Sequence, residues 1–141
     1  MELSDSTLLV LKNYASINSN LVVEEGGTLQ TISEAKNVLS KASISEVFPS
    51  KFGIYDLNEF LNVLNLVDTP RLKFEDNSVL IGDSTGRSKV RYYFSDTEML
   101  TAPSKEVKMP ETDVRFSLDN DTLNKIKRAA SALGHLSLIH I

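Results

Sequence analysis

The chain has 141 residues and a mass of 15.6 kDa, which allows one ordinary domain, or one domain and part of another. Hydrophobic residues at 41% and charged residues at 24% exclude a disordered or fibrous chain, and the lack of cysteine excludes disulfides, thiolate zinc sites and cysteine nucleophiles. With 15 Lys and Arg against 19 Asp and Glu, the net charge of −4 argues against a tight, open-sided nucleic-acid binder, which is usually basic.

The chain opens with a short extended segment, Met1 to Asp5, leading into an amphipathic helix over Ser6 to Ile17, with Ser4 or Asp5 as N-cap. Strand-like segments follow at Asn20 to Glu24, Thr28 to Ser33 and Val38 to Ile44. Turn residues at Glu25-Gly26-Gly27 and around Glu34 to Asn37 separate them. The order then repeats. Phe52 to Asp56 reads as extended, Asp56 as a cap and Leu57 to Val67 as a helix. Strands follow at Arg71 to Glu75, Val79 to Asp83 and Lys89 to Phe94.

Ser95 to Asp113 holds two prolines, five charges between Lys105 and Asp113, and no clear periodicity. It reads as a connector between domains. Its apolar islands, Met99-Leu100 and Val107-Lys108-Met109, suit either a partner surface or burial against its own domain. A third extended segment, Val114 to Leu118, leads into a helix over Asp119 to Leu133, and Leu136 to Ile141 is a further strand candidate.

The unit of strand, helix and three-strand meander thus recurs about every fifty to sixty residues. The expected fold class is α+β, with antiparallel sheets and helices on one face. The expected organisation is a first domain over 1–94 (repeats 1–47 and 48–94), a connector over 95–112, and the beginning of a second domain over 113–141.

Catalytic chemistry finds little support. Only two histidines occur, His135 and His140, at a spacing that suits no metal-binding helix. Gly82 to Arg87 lacks the strand-to-helix context of a phosphate loop and reads as a hairpin turn. Carboxylate pairs such as Glu24-Glu25 and Glu75-Asp76 sit beside turn residues as solvated charges. The expectation is a non-enzyme without cofactor or metal. No apolar run is long enough for a membrane helix, and the acidic opening Met1-Glu2-Leu3-Ser4-Asp5 is unlike a secretory leader, so a cytoplasmic protein is expected.

The helices show a consistent polarity at 100° per residue. In the first, Leu8, Leu11, Tyr14 and Ala15 share the apolar side, leaving Lys12, Asn13 and Ser16 outward. In the second, Leu57, Phe60, Leu61 and Leu64 turn inward opposite a stripe of Asn58, Asn62 and Asn65. In the third, Leu123, Ile126, Ala130 and Leu133 turn inward and Asn124, Lys125, Lys127 and Arg128 outward. Taken alone, this is the pattern of any solvated helix face.

Several segments, in order along the whole chain, resemble the sliding clamps of T4-type bacteriophage DNA polymerases. They are Glu2-Leu3-Ser4, Leu11 to Ser19, Ala42 to Val47, Ile54-Tyr55-Asp56-Leu57-Asn58-Glu59-Phe60-Leu61, Leu64 to Val67, Ala102 to Lys105 and Leu123 to Leu133. The resemblance implies a head-to-tail homotrimer whose subunits each hold two similar domains, with the chain stopping partway through the second. It implies sheets forming an outer wall and helices lining a hole around duplex DNA. Topological enclosure needs only a weakly attractive, sequence-blind lining, which reconciles the acidic net charge. On this likeness Lys12, Asn13, Ser16, Asn58, Asn62, Asn65, Asn124, Lys125, Lys127 and Arg128 face DNA. Met99, Leu100, Val107 and Met109 lie at or near a pocket for the peptide tails of partners, with the polymerase and clamp loader as partners. The competing expectation is a non-replicative, β-rich binding or structural phage protein.

Overall fold

A computed structural model describes residues 1–83, 85–104 and 111–134. The chain divides into two compact units, Met1–Glu106 and Val107–Ile141. In the first, α1 (Asp5–Ala15) is followed by β1 (Leu21–Val23), β2 (Gly26–Ile32), β3 (Leu39–Phe48) and β4 (Phe52–Ile54). Then come α2 (Leu57–Asn65), β5 (Arg71–Phe74), β6 (Ser78–Gly82), β7 (Lys89–Tyr93) and a 3-10 turn at Thr97–Met99. The second unit contributes α3 (Asn120–Leu133). The fold is α+β with antiparallel sheets.

The helix starts follow from their caps. Asp56 Oδ1 accepts from the N–H groups of Asn58 and Glu59 at 2.9 and 3.1 Å, satisfying first-turn donors that have no intrahelical partner. Asp119 does the same for Thr122 at 2.7 Å. For α1 the cap is Ser4, which accepts from Thr7 N–H.

Ser4 is itself held from across the fold. Its N–H donates to Glu46 Oε1, and the fully buried Thr7 hydroxyl donates to Glu46 Oε2, each at 2.5 Å. Ser45 adds a third donor at 3.0 Å. A register shift between Gly26 and Thr28 accompanies this reach. There the β3 carbonyls of Ile44 and Glu46 approach Gly27 so closely that a Cβ would sit 3.2 Å from each.

The strand pairing departs from the expected meander in the first repeat. β5–β6–β7 is a continuous three-stranded sheet, as read, but β1 pairs with β4 and β2 with β3. Gly26, at φ +112°, begins β2 instead of closing a simple turn, and the register shift beside it ends the ladder that a meander would need. Met1 to Asp5 is not a strand. Met1 alone bonds β5 through its backbone, exchanging two hydrogen bonds of 2.8 Å with Leu72 before the helix begins, and Glu2 reaches it only by its side chain, on Arg71. Val114 to Leu118 is also not a strand: it runs without regular secondary structure up to the Asp119 cap of α3. Leu136 to Ile141 lies outside the described residues.

One core joins the small sheets to both helices. Leu11 and Tyr14 of α1 and Leu57, Phe60, Leu61 and Leu64 of α2 pack with Leu21, Leu29, Ile54, Leu72, Val79 and Ile81 of the strands. Phe52 lies 5.5 Å from Phe48, 5.3 Å from Phe74 and 4.6 Å from Phe94, ring centre to ring centre. Gly53 is buried where the chain leaving β7 crosses it. A Cβ there would lie 2.6 Å from Ser95 O and 2.7 Å from Leu100 Cδ1.

Burial would raise the Glu46 pKa, but the hydrogen bonds from Thr7 and Ser4 outweigh it and hold the group at about 2, against an ordinary 4.5. A depressed carboxylate contributes stability that is complete above the unfolded value and lost as pH falls through the folded one. Glu46→Gln should therefore cost about 1.5–3 kcal/mol in urea melts at neutral pH, the range for a hydrogen bond to a charged group. The gap to wild type should close as pH is lowered from 4.5 toward 2. A gap unchanged with pH would contradict the assignment. Gly53→Ala should lower the melting temperature, because Ser95 backbone cannot retreat as a flexible side chain could.

Candidate nucleic-acid interface

In the first unit α1 and α2 contact each other, and each buries its apolar side. Lys12, Asn13 and Ser16 of α1 are exposed, as are Asn58, Asn62 and Asn65 of α2. The side chains that position them are the buried ones at helical spacing: Thr7, Leu11 and Tyr14 on α1, and Leu57, Phe60, Leu61 and Leu64 on α2. Tyr14 also donates its hydroxyl proton to Leu29 O at 3.2 Å, tying α1 to β2.

Electrostatically the two faces are almost neutral. Lys12 is the single cation on the outward side of α1, and Glu59 is the only ionic group among the exposed residues of α2. Each face also carries an exposed leucine that the apolar pattern did not flag, Leu9 at 67% and Leu66 at 76%. Leu9 stands three and four residues before Lys12 and Asn13, and Leu66 four residues after Asn62. The same 3.6-residue period that sorted the inward residues assigns both to the outward side.

In the second unit Asn124, Lys125, Lys127 and Arg128 are all exposed, and Leu123, Ile126 and Ala130 are half-buried. Leu133, expected inward, is 62% exposed. It is the last helical residue before Gly134, which ends α3 in the left-handed region at φ +67°, and no described residue covers it. Lys125 pairs with Asp121 at 2.9 Å one turn earlier. Both partners are solvated, so the pair is weak and another anion can compete for the lysine. Backbone and hydroxyl hydrogen bonds from Thr122 hold the Asp119 carboxyl below its usual range.

The segment that follows β7 packs on its own unit. Ser95 bridges to Gly53, and Leu100 is 8% exposed above it, whereas Met99 is 83% exposed. Asn18, 4% exposed, donates its side-chain amide to Ile32 O at 2.8 Å and to Thr101 O at 3.1 Å, while Asn20 Oδ1 accepts from Thr101 N–H at 3.3 Å. A shallow cavity of about 60 Å³ lies between Ala102–Pro103 and the side chains of Val22, Glu24, Thr28 and Gln30. Val107 and Met109 lie outside the described residues.

The family model for DNA polymerase processivity factors matches residues 4–109. This chain belongs to that family. Its relatives include sliding clamps of Vibrio phage KVP40, 36% identical over 138 residues, and of Enterobacteria phage T4, 31% identical over 135 residues. A third, from Escherichia phage RB69, is 30% identical over 135 residues. These alignments cover 95%, 94% and 94% of this chain and 62%, 58% and 58% of the respective relatives. The chain thus spans about 60% of the length of the curated relatives it matches. The family match includes α1, α2, every described strand and the segment after β7, so the packing of Leu100 and Thr101 belongs to the matched region.

Asn18→Ala removes the donor shared by two carbonyls, of Ile32 and Thr101. It should cost about 1–3 kcal/mol, the range for stranding a buried polar group. It should also expose the chain near Thr101 to limited proteolysis before global unfolding. Wild-type protease resistance at that segment would show that Asn18 does not hold it.

Proposed function

We propose that this chain acts in a sliding clamp, a non-enzymatic ring around duplex DNA that tethers the replicative polymerase in the cytoplasm of an infected host. The observation that carries the reading is the family match across α1 and α2, together with the mostly polar surface those helices present, in which Lys12, Asn13, Ser16, Asn58, Asn62 and Asn65 are interrupted only by Leu9 and Leu66. A lining that must slide needs hydrogen-bonding groups that exchange readily with water, and neutral amides with few cations meet that requirement. Asn124, Lys125, Lys127 and Arg128 supply the stronger attraction to phosphates.

The organisation in this reading is a first clamp domain over 1–94 with two repeats, a connector over 95–112, and the start of a second domain over 113–141. A homotrimer forms the ring, and a clamp loader opens it on DNA. Partner peptides dock beside the connector, near Met99, Leu100, Val107 and Met109. Of these, Met99 supplies exposed apolar surface and Leu100 anchors the connector from beneath.

Replacing Lys125, Lys127 and Arg128 together by Ala should shorten the product made per polymerase binding event on a primed template. The loss should be greatest at low salt and shrink as salt rises, since screening weakens the same phosphate contacts in the wild type. Circular dichroism should be unchanged, because exposed helix positions accept Ala. Product lengths equal to wild type at two salt concentrations would overturn the DNA-lining role of α3.

A further inference from the structure

The solvent face of the β5–β6–β7 sheet is basic, although the chain as a whole is acidic. Register sets this. Arg71 lies opposite Gly82 and Gly82 opposite Lys89; Lys73 lies opposite Leu80 and Leu80 opposite Arg91. Directly paired residues share a face. Arg71, Lys73, Lys89 and Arg91 therefore stand at the corners of one patch, with the two β6 positions between them occupied by Gly82 and Leu80. Corner to corner the patch measures about 7 Å along the strands and about 10 Å across them.

The opposite face of this sheet carries Leu72, Val79, Ile81 and Tyr92 into the core, where Tyr92 meets Phe60 of α2 at 5.1 Å. The basic patch thus lies on the side of the sheet away from α2. Arg71 is paired with Glu2 at 2.7 Å and Arg91 with Glu75 at 3.0 Å; Lys73 and Lys89 form no ion pair with any described residue. Both existing pairs are solvated and weak enough for another anion to displace.

One more row along, Tyr93 lies opposite Ser78 on the same face and is 65% exposed. An aromatic ring adjoining a cationic trough with a Gly and Leu floor is the combination that holds unpaired bases and their backbone. The cations neutralise phosphates, and the ring offers a stacking surface to any base. An acidic protein surface would account for the four cations and leave the exposed ring without a role.

We propose that this sheet face binds single-stranded nucleic acid without sequence preference, with Lys73 and Lys89 on phosphates and Tyr93 under a base. The inference does not depend on the helix-face reading. The test is fluorescence anisotropy of a labelled thymidine 20-mer with the full chain across a salt series. A blunt duplex of equal length and a glutamate oligomer serve as parallel probes.

Lys73→Gln/Lys89→Gln should weaken binding of the 20-mer and flatten its salt slope by about 1.4, two contacts at about 0.7 each for a single strand. Tyr93→Ala should weaken binding about tenfold for the 20-mer alone. The Lys125, Lys127 and Arg128 triple Ala variant should leave the effects of these sheet substitutions in place, which separates the two faces. Unfolding of any variant is checked by circular dichroism, and Lys73→Arg/Lys89→Arg should retain binding. Unchanged 20-mer affinity in the Gln variant would overturn the proposal. So would equal loss for the glutamate oligomer with no effect of Tyr93→Ala, which would assign the face to acidic proteins. Duplex binding as tight as the 20-mer and equally insensitive to Tyr93→Ala would also overturn it.

Discussion

The two-stranded sheets are too small to stand alone, and the three-stranded one has an apolar face that must be covered. The rings of Phe48, Phe52, Phe74 and Phe94 join them. Phe48 comes from the end of β3, Phe52 from β4, Phe74 from β5, and Phe94 from the residue after β7, so the cluster touches every sheet. Edge-on and stacked contacts at 4.6–6.3 Å add direction to what would otherwise be indifferent burial. Both helices lie on the platform this produces: α2 through Phe60 and Leu64, α1 through Leu11 and Tyr14. Polar residues on the outer sides of those helices are held in place because the inner sides have no freedom to rotate.

The three helices were legible because their signal is local. Ser4, Asp56 and Asp119 cap them, and apolar residues recur at helical spacing, so starts and inward faces follow from a dozen residues at a time. The second meander was legible for the same reason. What escaped is non-local. Nothing near Leu21 announces that its partner is Ile54, thirty-odd residues later, or that Glu46 will fasten the start of α1. The exposure of Lys12, Asn13, Ser16, Asn58, Asn62, Asn65, Asn124, Lys125, Lys127 and Arg128 was legible, but Leu9 and Leu66 were passed over, although the 3.6-residue period assigns both to the outward side. The i,i+4 pairing of Lys125 with Asp121 could also have been read from spacing. The basic sheet face could not, since it exists only once three strands have taken one register.

Net charge proved a poor guide to local charge. A total of −4 is compatible with four cations on one sheet face, because several of the acids lie elsewhere, at helix caps and in turns such as Asp56, Asp68 and Asp83. In those places a carboxylate answers free backbone N–H groups. Asp83, for example, accepts from the Thr85 hydroxyl and Arg87 N–H. Acids thus concentrate where the backbone calls for them, and the flat surfaces between are left to other side chains.

The stripe of Asn58, Asn62 and Asn65 has a chemical consequence beyond its neutrality. An amide side chain neither gains nor loses a proton across the range in which proteins stay folded, and it offers a donor and an acceptor on one flexible group. Whatever α2 touches therefore meets the same hydrogen-bonding surface in mild acid as in mild base. A histidine at any of the three positions would have made that surface a sensor of its surroundings. With asparagine it stays indifferent to them.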